Sequence, residues 1–272
     1  MRLRLGLVSA LACGAPAGLA QEQPSSDGWS LTMGAGSLLA PAYEGDDETR
    51  LSLLPNIQVA YGDRFFASVQ EGVGYKLVND GDLVAGPIAR IRFSRDEDGD
   101  QPFAVSGEDT RDLAGLGDVG ASVELGGFLN YRAGSLEVSA EARQAVSGHE
   151  GFTAELGVRW TGRNSLFGPP VIWSVGPRLR FADERFTSAY FGVTPVQSSP
   201  SGLPVFETDG GLYAYGLGAT AIIPLTTDGR WSAVAIAGYD QLNGDASASP
   251  LVRLRGSEHQ GSLGVFLSYR FF

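Results

Sequence analysis

Gly261-Ser-Leu-Gly-Val-Phe-Leu-Ser-Tyr-Arg-Phe-Phe272 is the stretch whose reading decides the fold. Leu263, Val265, Leu267, Tyr269 and Phe271 fall on one face of a strand, and Gly264, Ser268 and Arg270 on the other. Period-2 alternation carried into an aromatic pair predicts a strand with its apolar side toward lipid and its small or polar side toward the interior of a closed sheet. Hydrocarbon tolerates no open sheet edge, so this segment is expected to pair with its predecessor and with the first strand. The alternative is the edge strand of a soluble sandwich.

Working outward, the 272 residues include 38 Gly, 14 Phe, 9 Tyr and 4 Trp, with a formal charge of -11. A helical membrane span needs about 20 consecutive apolar residues, and none remain beyond the N-terminus. The acidic balance lacks the clustered Lys and Arg on which nucleic-acid binding relies, although acidic loops suit contact with divalent cations. Residues 1–20 read as a signal peptide: Arg2 and Arg4, the apolar run Leu5 to Ala17, and the small-residue site Gly18-Leu19-Ala20. Cys13 lies inside it; a lipoprotein reading through Leu11-Ala12-Cys13-Gly14 is the competing one. Residues 21–272 then form a single outer-membrane β-barrel domain with no thiol chemistry.

The alternation recurs along the chain. Trp29, Leu31, Met33, Ala35, Ser37 and Leu39 begin it, followed by Leu51 to Tyr61 and, after Tyr61-Gly62-Asp63, by Phe65 to Leu77. Pro55 interrupts one ladder and Glu71 sits on an apolar face, which points to a bulge or a register shift near Gly72. Further strands are expected over Leu83 to Phe93, Val119 to Tyr131, Leu136 to Ala142, Phe152 to Trp160, Val171 to Phe181, Tyr213 to Ile223 and Trp231 to Tyr239. Long connections cover Ser94 to Gly117, Asp183 to Gly210 and Gln241 to Pro250.

Runs of about 11 to 14 residues exceed the usual 5 or 6 of soluble strands and suit tilted membrane strands. Trp29, Tyr61, Tyr75, Tyr131, Trp160 and Tyr269 sit near strand ends, as an aromatic girdle requires. The fold class is therefore all-β, a transmembrane antiparallel barrel of about twelve strands, with ten as the fallback. The segments read directly give an odd number, so the missing strand is sought in Leu251 to Arg255 or in Phe186 to Val193. That odd number leaves the side reached by each long connection open.

Several pieces, in order, resemble the MipA/OmpV family: Pro41-Ala-Tyr-Glu-Gly45, Leu54-Pro55, Gly72-Val-Gly-Tyr75, Gly115-Leu116, Gly148-His149-Glu-Gly151, Tyr190-Phe-Gly-Val193, Leu242-Asn-Gly-Asp-Ala246 with Ser249-Pro250, and the final Tyr-Arg-Phe. The resemblance implies a barrel in the outer membrane of a Gram-negative bacterium, in contact with lipid and lipopolysaccharide. It further implies a scaffold that joins a lytic murein transglycosylase to a murein synthase.

The site expectations follow from parity and loop placement. Arg90, Arg92, Glu124, Glu137, Glu141, Arg143, Glu155, Arg159, Arg178 and Arg180 fall on the inward face, where charges of both signs line a lumen or interlock to fill it. Tyr190, Phe191, Ser249 and Pro250, on the long connections, are candidates for binding a partner or for packing on the rim. Ser147, His149 and Glu150 are close in sequence but read as a turn rather than a nucleophile with its base, and His149 and His259 are too far apart to suggest a metal centre. The expected function is a non-enzymatic scaffold without cofactor or metal. The alternative is a small-solute porin-like channel or an envelope-stress or adhesion surface protein.

Overall fold

The computed structural model describes residues 28–98, 103–106, 111–165 and 170–272. The expected leader, with Cys13, lies outside the described residues. The chain forms β1 (Trp29–Pro41), β2 (Thr49–Tyr61), β3 (Phe65–Ser68), β4 (Gly72–Tyr75), β5 (Val78–Asn79), β6 (Leu83–Arg92), β7 (Ala104–Ser106), β8 (Ser122–Ala133), β9 (Leu136–Ala145), β10 (Phe152–Asn164) and β11 (Val171–Ala182). Helices α1 (Glu184–Phe191) and α2 (Pro195–Ser201) precede β12 (Gly211–Pro224) and β13 (Trp231–Leu242); α3 (Asp245–Ala248) and α4 (Pro250–Arg255) precede β14 (His259–Arg270). No helix among the described residues is long and apolar enough to cross a membrane.

Twelve of the strands close into one antiparallel barrel. Its seam joins β1 to β14 from Thr32 opposite Arg270 to Leu39 opposite Leu263, while the other edge of β1 pairs with β2 along its whole length. Leu31 N–H donates to Phe272 O at 3.3 Å and Phe271 N–H to Leu31 O at 2.9 Å. Closure leaves no unpaired edge facing lipid along this seam.

The missing strand is not where the sequence places it. Leu251 to Arg255 and Phe186 to Phe191 are helical. The extra strand arises because Phe65 to Tyr75 is two strands, a short hairpin that turns inside the wall. Gly72, at φ 83°, makes that turn, and a Cβ there would lie 2.3 Å from Ala89 O. Ser68 Oγ accepts from Glu71 N–H at 2.8 Å. Glu71 is thus a turn residue, which explains its position against the apolar alternation. The hairpin covers β2 only as far as the bond from Val69 N–H to Ile57 O, and higher up Leu53 N–H donates to Phe103 O. Pro55 sits between these two points, where Gln70 Nε2 donates to its carbonyl at 3.1 Å. A residue without an N–H is tolerated there because, on the edge away from β1, no strand pairs with it.

With twelve strands, both ends of the barrel chain emerge at one rim, together with the short turns after β2, β8 and β12. The described parts of the connections 42–48, 93–121, 146–151, 183–210 and 243–258 stand at the opposite rim. Outer-membrane barrels keep short turns in the periplasm and longer loops outside the cell, which puts the helices on the exterior side. The periplasmic rim carries the aromatic girdle: Trp29 stacks near Tyr61 and Phe65, Trp160 near Trp173, and Trp231 near Tyr269, with ring centroids 5.0 to 6.1 Å apart. Neighbouring residues on β14 show which way the wall faces: Val265 is 53% exposed and Phe266 6%.

Replacing Val265 by Arg sets a charge in the lipid belt beside Ser37 and Ala235. The folded barrel is expected to lose about 2–4 kcal/mol, read from denaturant titrations in lipid vesicles.

Candidate functional site

On the inward side of β1, β2, β13 and β14, Leu38, Ala40, Leu54 and Phe266 pack into an apolar cluster, with Val234, Ile236 and Phe103 against them. Gly34 permits a close approach within this sector: Asn56 Nδ2 reaches past it from β2 to Ser268 Oγ on β14 at 2.7 Å, and a Cβ at Gly34 would lie 2.0 Å from Leu267 O. Most of the ion pairs lie instead on the inward faces of β6 and β8 to β11.

The residues singled out by parity divide into three groups there. On the exterior half, Glu124 accepts from Arg92 Nε at 2.7 Å and from Arg143 Nε at 2.6 Å, and Glu141 joins Arg143 to Arg90, the latter at 2.9 Å. Next to this group, Arg178 holds Asp240 through two parallel bonds of 2.8 and 2.6 Å, and Arg180 bonds Glu44 at 2.6 Å while lying 3.6 Å from Asp240. Nearer the periplasmic rim, Glu137 bridges Arg132 and Arg159. Glu155 stands in register with Arg180 and lines, with Ser139, Arg159, Ser174, Arg178 and Thr220, a cavity of about 40 Å³. At roughly 10–15 Å³ needed for one water, that space has room for a few solvent molecules among the charges.

His149 completes the first group. Gly151 N–H donates to its Nδ1 at 3.0 Å, so the ring proton sits on Nε2, 3.1 Å from Glu124 Oε1. Ser147 Oγ instead accepts from Val123 N–H at 3.0 Å. The Ser147-Gly-His149 turn therefore serves to hold a buried imidazole against the lumen carboxylate, and its serine and histidine do not form a nucleophile and base.

Above these charges lies a cap. Phe186, Tyr190 and Phe191 on α1 bury themselves with Tyr213, Leu242, Ala246 and Val252. The sequence pattern aims Tyr213 outward, but the register shifts at Arg180/Phe181 and turns it inward beneath α1. Arg92 lies 5.0 Å from the Phe186 ring and Arg180 5.1 Å from the Tyr213 ring, so the cap rests on the guanidinium groups of the wall. Burial pushes the Tyr190 hydroxyl up to about 12. A second apolar layer joins Ala42, Tyr43, Leu113, Leu116, Val193, Leu203 and Leu251.

Tyr190, Phe191, Ser249 and Pro250 are all buried in these layers and present no surface to a partner. Ser249 Oγ donates to Phe191 O at 2.6 Å, tying the two helical connections together. Arg255 Nη1 donates to Asp112 O at 2.6 Å, Ser257 N–H to Gly45 O at 2.8 Å, and Gly45 N–H to Gln260 Oε1 at 3.0 Å. Sequence reasoning missed His149, Glu44, Asp240 and Phe186 as parts of this site. Asp240 was detectable, because it occupies an inward position between outward Tyr239 and Gln241 on a readable strand; the others sit on connections without periodicity.

The family model described as MltA-interacting protein MipA matches residues 33–271. No curated protein matches. Among solved structures, an outer membrane channel from Pseudomonas putida F1 aligns at a TM-score of 0.46 and 11% identity, over 94% of this chain and 99% of that one. The CymD monoaromatic hydrocarbon channel gives 0.38 and 13%, over 90% and 88%. Neisserial surface protein A gives 0.27 and 9%, over 92% and 100%. The barrel assignment rests on the pairing of this chain's own strands.

Changing Glu124 to Gln leaves Arg92 and Arg143 without their shared carboxylate. A loss of about 3–5 kcal/mol in folding free energy is expected, partly recovered when Arg143 is changed to Met in the same chain; denaturant titration of the three variants checks both.

Proposed function

The chain belongs to the MipA family and is an outer-membrane barrel, and from that premise we propose that it works as a narrow channel for small solutes whose exterior mouth is closed by its cap. The observation that carries this reading is the layering of the interior. A lumen wall of paired Arg, Glu and Asp lies under an apolar cap at the exterior rim, while Gln58 and the Arg132 side chain remain exposed toward the periplasmic rim. Charges inside a barrel are costly unless they are paired or hydrated. A wall that keeps this many of them, around a water-sized cavity, favours passage of polar solutes over a purely structural filling. Opening requires α1 to leave Arg92 and Tyr213.

A second reading is the murein scaffold, favoured by the family description as an MltA-interacting protein. In that reading a transglycosylase docks on the periplasmic rim, where this barrel offers short turns such as 225–230 and the girdle around Trp231. The folded connections at the other rim take no part.

Single-channel recording in planar bilayers tests the proposal. Wild-type barrels are expected to conduct in rare, brief openings. Changing Phe186 or Tyr190 to Ala removes about 1–2 kcal/mol of closing contact and raises the ratio of open to closed time about tenfold. If wild type and both variants are silent while the barrel remains folded, the channel reading fails. Co-purification of a lytic murein transglycosylase, lost on replacing residues 225–230, would then favour the scaffold.

A further inference from the structure

Outside the lumen, three carboxylates converge at the exterior rim. Asp46 and Asp47 lie on the β1–β2 connection and Asp112 on the β6–β8 connection, and one oxygen from each lies within 4.8 Å of the others. Asp46 is 1% exposed. Its Oδ1 accepts from Glu48 N–H at 3.0 Å, while its buried Oδ2 meets no hydrogen-bond donor among the described residues. An anionic oxygen kept from water without a donor is a costly arrangement. Placing two further carboxylates around it raises that cost.

Arg255, the guanidinium nearest along α4, directs Nη1 to the Asp112 carbonyl and Nη2 to the Ser201 carbonyl. Tyr43 O–H donates to Arg255 O at 3.5 Å. These bonds to backbone carbonyls hold the two connections and α4 in position.

We propose that Asp46, Asp47 and Asp112 form a binding site for a divalent cation of the calcium type. The donor set is oxygen only, which selects a hard cation over zinc or copper. Calcium takes oxygens at about 2.3–2.6 Å, so ligands around one ion lie up to roughly 5 Å apart, in keeping with the spread of these three. Magnesium, at about 2.0–2.1 Å, demands a tighter cage. Asp47 is exposed and leaves the outward side of the ion open to water. A bound ion would fasten the first hairpin loop to the connection that follows β6, and through Arg255 to α4. The site thus belongs to the outer layer of the cap and stands whether or not the barrel conducts.

The test uses the full barrel refolded into detergent without lipopolysaccharide, stripped with a chelator, and titrated with calcium by isothermal calorimetry. One ion per barrel is expected, with magnesium competing weakly. Asp46→Asn, Asp47→Asn and Asp112→Asn are each expected to weaken binding about tenfold or more, as loss of a ligand does, while Asp228→Asn at the periplasmic rim leaves it unchanged. Asp47 is exposed, so its variant separates loss of binding from loss of fold. The proposal is overturned if no saturable binding occurs, or if fewer than two of the three ligand variants weaken it.

Discussion

Inside a bilayer no water is available to satisfy a backbone N–H or C=O, and this one constraint governs the rest of the molecule. It forces β14 onto β1, which with every pair antiparallel gives an even circuit, and makes the hairpin of β3 and β4 meet its neighbours even though each strand is only four residues long. Where the hairpin stops short, Gln70 and Phe103 supply the bonds to β2 that a longer strand would have supplied. Pro55, lacking an N–H, needs only the bond that Gln70 gives to its carbonyl.

Closure also sets the chemistry of the interior. An antiparallel wall with lipid outside must send every second residue inward, and a circuit of this size encloses more room than apolar side chains alone fill here. The chain shares out the space: an apolar cluster gathers against β1, β2, β13 and β14, and most ion pairs stand on β6 and β8 to β11, with Asp240 of β13 joining them. The two halves meet under the cap, where arginines lie against aromatic rings. Electrostatics of the wall and packing of the cap are therefore coupled through Arg92 and Arg180.

The wall was largely legible in the sequence because lipid outside and polar groups inside write a period of two into each strand. Residues 152–160 and 261–271 show it in full, and the ionic positions follow from the same parity. The helices were less legible. Thr194-Pro-Val-Gln197 carries a capping box with Pro at the first turn, and Ser249-Pro250 is a cap followed by the same signal. Both were passed over in favour of loop or strand because these short helices have no amphipathic repeat of their own and gain their stability from the rim beneath them. The hairpin at Gly72 was visible only as a disturbance, a glutamate on a greasy face. The convergence of Asp46 with Asp112 left no sequence signal, since loops far apart in the chain meet only after the barrel has closed.

The cap has two sides that live under different rules. Phe186 and Phe191 are fully buried, whereas Val196 is 83% and Leu254 66% exposed on the same small helical layer. Positions of the first kind answer to the wall below; positions of the second kind answer to whatever the cell meets. Antibody or phage pressure on the exterior can therefore drive change at exposed positions such as Val196, Val205 and Leu254 while the buried stopper beneath them is left untouched.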